Sequence, residues 1–300
     1  MKSLKICLFA LACLLMFDAQ AQAAPSSPLY PHKDCGGKDS MKSLLIAGFG
    51  NYPPFSWTEF DEESFQNYKR NKYEYKGFVY EFVSKVLTEM KVVNIKNLTF
   101  DDFFQAKKAI LHGKMDLLFT SYYIDEAKSG QDYLYPAYFG NPFIVISRAT
   151  KKIEVDDFSG LKGMKGVVRQ EEEIEPLIRG SLPTDTKLEV VEGAETAFRK
   201  LLSGEVDFMI GSPYATEAEA KRFKIRDKLY YGKKILRHIK YFIAFSKLSP
   251  CRKYKEVFGK LFQEQISDKA VIEQKIQEYI KIWEERYKDD PPLEYEPAQD

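Results

Sequence analysis

Two stretches of the chain share one pattern of apolar and polar positions. In each, a short run with helical spacing ends at Gly, passes through two further residues to Asp, and enters an apolar segment directly. The first is Ala109-Ile110-Leu111-His112-Gly113-Lys114-Met115-Asp116-Leu117-Leu118-Phe119. The second is Phe198-Arg199-Lys200-Leu201-Leu202-Ser203-Gly204-Glu205-Val206-Asp207-Phe208-Met209-Ile210. Gly tolerates the left-handed backbone needed just past the last helical turn. The apolar run after each Asp has the length of a buried strand in a parallel sheet. The repeat predicts two similar α/β lobes. Ligands of such lobes sit beyond the carboxyl ends of the strands, so two facing lobes form a cleft.

The remaining pattern fills in the order of elements. Residues 44–48 read as a strand, closed by the turn Asn51-Tyr52-Pro53-Pro54-Phe55. Residues 58–76 are polar and aromatic without a clean period, which predicts a long loop. Phe78, Phe82, Val86 and Leu87 recur at helical spacing within 77–90. A strand region covers 92–100, and Asp101-Asp102 can cap a helix over 103–111. A third strand covers 117–121. The apolar runs at 143–147 and 241–246 read as strands crossing between lobes, which makes the first lobe discontinuous in sequence. The expected lobes are therefore 44–140 with 237–287, and 141–236. Residues 252–286 are helical in pattern, and Asp289-Asp290-Pro291-Pro292 breaks the run, leaving 288–300 as a disordered tail.

The N-terminus indicates where this body works. Lys2 and Lys5 precede an apolar core over 6–17, and Ala19-Gln20-Ala21 and Ala21-Gln22-Ala23 are both small-residue cleavage patterns. This is the form of a cleavable secretory signal peptide over 1–23, too short in its apolar part to span a bilayer. Residues 24–43 form a loose lead-in. Cleavage takes 45 basic and 44 acidic residues to 43 of each, by loss of Lys2, Lys5 and Asp18. A neutral chain without a basic block argues against nucleic acid as a partner. After cleavage only Cys35 and Cys251 remain, which either pair in an oxidising compartment or stay as two thiols.

Over 44–285 the chain resembles the periplasmic solute-binding proteins of the amino-acid-binding type, bacterial extracellular solute-binding protein family 3, with the type II periplasmic binding fold. Tyr52-Pro53-Pro54-Phe55-Ser56 is similar to the family's aromatic-x-Pro-Phe turn. Gly77-Phe78-Val79-Tyr80-Glu81 is similar to its Gly-Phe-x-x-Asp helix start, with Glu for Asp. Gly113-Lys114-Met115-Asp116 and Gly204-Glu205-Val206-Asp207 match its two Gly-x-x-Asp joints. Leu134-Tyr135-Pro136-Ala137-Tyr138 is a degraded Phe-Ser-x-Pro-Tyr, and 156–163 is similar to its entry to the second lobe. The resemblance implies a two-lobed α/β fold with a mixed, mainly parallel sheet in each lobe and two hinge strands. It also implies a periplasmic monomer that closes on a small polar ligand, amino-acid-like or another small organic molecule. The implied partner is an ABC transporter permease or a sensor in the inner membrane.

The resemblance also implies a site, and there the chain departs from the family. Tyr52 takes the place of an aromatic platform, Ser121 keeps a small hydroxyl, and Tyr123 stands where a second polar contact falls. The family's carboxylate-binding Arg becomes Lys128, a point charge without the bidentate fork. Its ammonium-binding Asp becomes Ser212. Its Gly-Thr in the second lobe becomes Glu171-Glu172, and acidic groups there repel a carboxylate. Loss of the Asp anchor argues against an ordinary α-amino acid. Each position also has a plainer role: turn packing for Tyr52, a solvated helix start for Lys128 and for the Glu171–Glu173 run.

Catalytic patterns are sparse. His32, His112 and His238 are scattered, with no His-x-x-x-His and no Cys-x-x-Cys, so no metal or cofactor is called for. There is no Gly-rich phosphate loop and no Gly-x-Ser-x-Gly. The enzymatic alternative is a cyclohexadienyl-dehydratase-like activity on the same fold, with a carboxyl from 171–173 as general acid. That role needs a pKa raised by burial. A third alternative is a lobe pair that holds a macromolecular partner instead of a small molecule.

Overall fold

The computed structural model describes residues 35–36, 41–60, 73–100, 103–123, 126–172 and 174–298. The expected signal peptide, Asp101-Asp102 and Glu173 lie outside the described residues. The strands are β1 Ser43–Ala47, β2 Asn51–Tyr52, β3 Ser56–Phe60, β4 Tyr73–Lys76, β5 Asn94–Asn97 and β6 Leu117–Tyr122. They continue as β7 Gln131–Tyr133, β8 Phe139–Arg148, β9 Lys165–Arg169, β10 Lys187–Val191, β11 Phe208–Gly211 and β12 Leu229–Ser246. The helices are α1 Phe78–Glu89, α2 Phe103–Leu111, α3 Glu126–Ser129, α4 Glu175–Ile178, α5 Gly193–Leu202, α6 Pro213–Arg222, α7 Lys255–Gln265 and α8 Lys269–Arg286.

Among the described residues one continuous sheet runs in the order β10-β9-β11-β8-β12-β6-β1-β5, with β7 also on β12. At one end β5, β1 and β6 are parallel; at the other β10, β9 and β11 are parallel. The antiparallel pair β8 and β12 joins the two groups. The crossing strands expected at 143–147 and 241–246 are thus the inner parts of longer strands. This is the two-lobed α/β arrangement, with three parallel strands in each half.

Continuous apolar runs form these strands because both faces are covered. Successive residues of β8, Phe143, Ile144, Val145 and Ile146, enter two different apolar clusters in turn. Val167 and Val168 of β9 divide in the same way. On α5 the buried positions Ala194, Ala197, Phe198, Leu201 and Leu202 form one stripe against the second cluster.

The repeated Gly-x-x-Asp motif has the same physical role in both halves. Gly113 and Gly204 sit at φ 66° and 80°, the left-handed region that lets the helix end. Asp116 Oδ2 then accepts the Leu45 N–H of β1 at 2.7 Å, and Asp207 Oδ2 accepts the Lys165 N–H of β9 at 3.0 Å. Each carboxylate therefore ties the start of its own strand to the backbone of the neighbouring parallel strand. Asp116 is buried and also accepts from Ser249 Oγ at 2.6 Å, whereas Asp207 is partly exposed and meets Lys151.

Two expectations are corrected. Residues 58–76 are not a loop throughout: β2, β3 and β4 form a separate antiparallel sheet, and 61–72 lie outside the described residues. Trp57 and Tyr75 anchor that sheet in the core, a signal too short to show a period of two. The stretch 288–300 is not a disordered tail over its described part. Leu293 is buried in the second cluster, its N–H donates to the Phe223 carbonyl, and the Ala298 N–H donates to the Leu202 carbonyl. α8 ends at Arg286, ahead of the two prolines, and the chain then runs on against the second half. The structure also joins Cys35 to Cys251 by a disulfide, tying the lead-in to the segment before α7.

Because Asp116 is buried and holds two donors, Asp116→Ala should cost about 3–6 kcal/mol, at roughly 1.5–3 kcal/mol per hydrogen bond to a charged group. Asp207→Ala, partly solvated, should cost about 1–2 kcal/mol after screening. Urea denaturation of the two variants measures the difference, and equal losses would contradict the burial argument.

Candidate functional site

A cavity of about 790 Å³ opens between the two halves at the carboxyl end of β1. One wall comes from Phe49, after β1, and from Asn51 and Tyr52 of β2, backed by Phe100 and by Phe103 and Phe104 at the start of α2. The other wall is Gln170 and Glu171, after β9, and Glu192, just ahead of α5. At Gly48 a side chain would lie 2.2 Å from the Phe119 ring, so only glycine lets β1 end this close to β6. Among the described residues no helix is long and apolar enough to cross a membrane, and no group of side chains could hold a metal ion.

The inner end of the cavity is closed by a buried polar network. The Tyr52 ring stacks on Phe55 at 5.0 Å between centroids and meets Phe49 edge-on at 5.2 Å. Its hydroxyl accepts from Asn141 Nδ2 at 3.1 Å and donates to Glu172 Oε1 at 3.4 Å. The same Glu172 oxygen accepts from Arg169 at 2.7 Å and from the Ser212 N–H at 3.2 Å. Ser212 Oγ donates to Asn141 Oδ1 at 2.7 Å, and Asn141 Nδ2 also reaches the Tyr241 hydroxyl at 3.2 Å. The Arg169 guanidinium lies over the Tyr52 ring, 5.8 Å from its centroid. Glu172 and Tyr52 thus link the two halves directly.

Burial dominates the electrostatics. It pushes the Glu172 carboxyl up, against the pull of Arg169 and the Ser212 amide. It also pushes up Glu219 on α6, where Arg169 and Arg222 pull the other way. Tyr52 and Tyr241 are raised by the same cause, so both remain neutral donors at physiological pH. Glu172 Oε2 and Thr216 Oγ1 are buried without partners, and both face the Cα of Gly211.

The sequence-derived residues divide into two groups. Tyr52 and Glu171 line the cavity, while Glu172 and Ser212 form the network behind it. Ser121, Tyr123 and Lys128 are not brought to the cavity. Ser121 is buried on β6, donating to Gln131 Oε1 at 2.6 Å. Tyr123 is exposed on another face, its ring against Tyr133 and Phe242. Lys128 is exposed on α3 and does not line the cavity.

Sequence reasoning missed Arg169, Asn141, Tyr241, Phe103, Phe104 and Glu192. Arg169 carried a signal: a charge that closes an apolar strand run and is followed three residues later by an acid. The others sit in ordinary strand or helix patterns and meet only through the fold.

No family model matches the chain, and no curated protein matches it. Solved structures do. An amino-acid ABC transporter substrate-binding protein, AbpA from Streptococcus pneumoniae, bound to L-arginine, superposes with a TM-score of 0.62 at 17% identity, over 80% of this chain and 95% of that one. The ligand-binding core of GluR0 in complex with L-glutamate gives 0.63 at 14% identity, over 81% and 99%. An ancestral amino-acid-binding protein described as a precursor of cyclohexadienyl dehydratase gives 0.58 at 18% identity, over 80% and 94%. At these identities the likeness establishes the fold, that of two-lobed type II periplasmic binding proteins.

The network yields two expected outcomes. Glu172→Leu leaves Arg169 buried and unpaired and should cost about 3–5 kcal/mol, whereas Arg169→Met with Glu172→Leu should recover most of the loss. Guanidinium unfolding of the single and double variants checks this; no recovery would mean the pair is not the main partner of either charge. The second outcome concerns pH. Glu172 and Glu219 hold protons more tightly when folded than at the ordinary carboxyl value of 4.5. Their contribution is therefore intact below that value and is lost as pH rises through the folded values. Unfolding free energy plotted against pH should flatten in this window in Glu219→Gln, and an unchanged slope would remove Glu219 from the account.

Proposed function

We propose that the chain is an exported solute-binding protein that closes its two halves on a small polar or charged organic molecule and presents it to a membrane partner. The observation that carries this reading is the cavity of about 790 Å³ with a wall from each half. A ligand touching both walls favours the closed state by its differential affinity, and closure is then a signal that a partner can read. The size falls within the range of small-molecule sites. The similar structures bound to L-arginine and L-glutamate supply the precedent for such a cleft. In this reading residues 1–23 direct export to the periplasm, and the protein acts as a monomer. Its partner is an inner-membrane transporter, with a receptor as the alternative. The lobes divide near 140–141 and 236–237.

The enzymatic reading has one observation in its favour, a buried carboxyl raised in pKa at Glu172. That carboxyl is enclosed by Arg169, Ser212 and Tyr52, with its side chain fully covered, so it does not face the cavity. The binding reading accounts for more of the site.

The test is a thermal-shift and scattering series on the mature protein with a broad metabolite panel. A ligand present at a hundred times its Kd adds about 2.7 kcal/mol of stability, roughly 5–10 °C in Tm for a chain of this size. A smaller radius of gyration should accompany it. Turnover of prephenate-like cyclic acids would favour the enzyme instead. No shift with any metabolite would leave the macromolecular-partner reading in place.

A further inference from the structure

The cavity is chemically lopsided. Its described lining contains no Lys, Arg or His, and its two ionisable carboxyl side chains, Glu171 and Glu192, stand on the same wall. The nearest cation in the network, Arg169, lies behind Tyr52 and is engaged by Glu172. Among the described residues, an incoming carboxylate therefore meets two acids and no cationic clamp.

Glu171 is held in place for contact. Its Oε1 accepts the Gly193 N–H, the first of α5, at 2.7 Å, which fixes the carboxylate at a helix N-terminus. Its Oε2 is buried and has no hydrogen-bond partner among the described residues. An unmet carboxylate oxygen beside a cavity is costly unless a donor arrives. Glu192 makes no side-chain cap to the helix it precedes.

The opposite wall is aromatic. Phe104 is 63% exposed although it sits on the first turn of a core helix, and the largely buried rings of Phe49 and Tyr52 line the same cavity. Aromatic faces attract cations, and the attraction grows when water is excluded. Acids on one wall and rings on the other suit a single ligand charge.

We propose that this cleft takes a small organic cation, an ammonium or guanidinium compound, recognised by its charged end without a carboxylate clamp. The inference rests on reading the cavity as the ligand site. The cation pairs with the Glu171 carboxylate at the cavity wall and lies over Phe104, with Glu192 adding long-range attraction.

Isothermal titration of the mature protein with agmatine, putrescine, L-arginine and L-glutamate tests it. Agmatine and L-arginine differ by the α-carboxylate alone. Agmatine should bind at least as tightly as L-arginine, and L-glutamate should give no heat of binding. Glu171→Gln keeps the acceptor for Gly193 and removes the charge, and Phe104→Ala truncates an exposed ring. Each should weaken agmatine about ten- to a hundredfold without lowering the Tm of the ligand-free protein. L-arginine binding tenfold more tightly than agmatine, or L-glutamate binding in the cleft, would overturn the proposal. If no cation binds while another metabolite does, the ligand class is wrong and the binding function stands. Silence from every metabolite would overturn both.

Discussion

One carboxylate oxygen organises the centre of this molecule. Glu172 Oε1 receives Arg169 from its own half, the amide that opens α6, and the Tyr52 hydroxyl from the opposite half. Removing two charges from water is expensive, and their attraction in the interior roughly offsets that cost. The pair is therefore better understood as setting geometry than as supplying net stability. It closes the deep end of the cleft with the protein's own guanidinium and carboxylate. Only the outer part, walled by Phe104 and Glu171, is left for a visitor.

Around that centre, the two halves are built by one repeated device and braced by a second. The repeated device is the aspartate that follows each helix and accepts a backbone N–H from the next parallel strand. The brace is α8, which lies against both halves. On one side Trp283 meets Trp57 at 5.1 Å and Lys275 pairs with Glu81. On the other, Glu273 accepts from Tyr214, Glu284 pairs with Lys221, and Arg222 lies 4.1 Å from the Tyr287 ring centroid. Exposed ion pairs of this kind are worth little individually. The buried Trp pair fixes α8 to the first half, so a change in the angle between the halves must slide the contacts to Tyr214, Lys221 and Arg222.

The legibility of the molecule follows from range. The Gly-x-x-Asp joints, the helical stripe of α1 and the apolar strand runs are local patterns, and each formed where its spacing put it. The β3–β4 pair was obscured because five- and four-residue strands carry too few alternations. The segment after α8 misled because composition predicts solvation, while a single leucine, Leu293, found a pocket in the second half. Among the candidate residues near the cavity, Tyr52 lies on β2, and Glu171, Glu172 and Ser212 directly follow strands. Lys128 does not line the cavity, because spacing along the chain does not say where a residue lies once its strand has ended.

What the amino-acid sequence determined by itself was the class of architecture: two similar α/β halves, their joints, and the strands that cross between them. Those features depend on hydrophobic period and on glycine, which act over a few residues. The tertiary structure alone decided the chemistry of the cleft. Arg169 looks like a solvent-facing strand end and Phe104 like a core residue, yet the fold buries the first and leaves the second exposed. Which side chain faces water depends on how distant segments pack, and in this chain that packing turns a family-like cleft into an acidic and aromatic one.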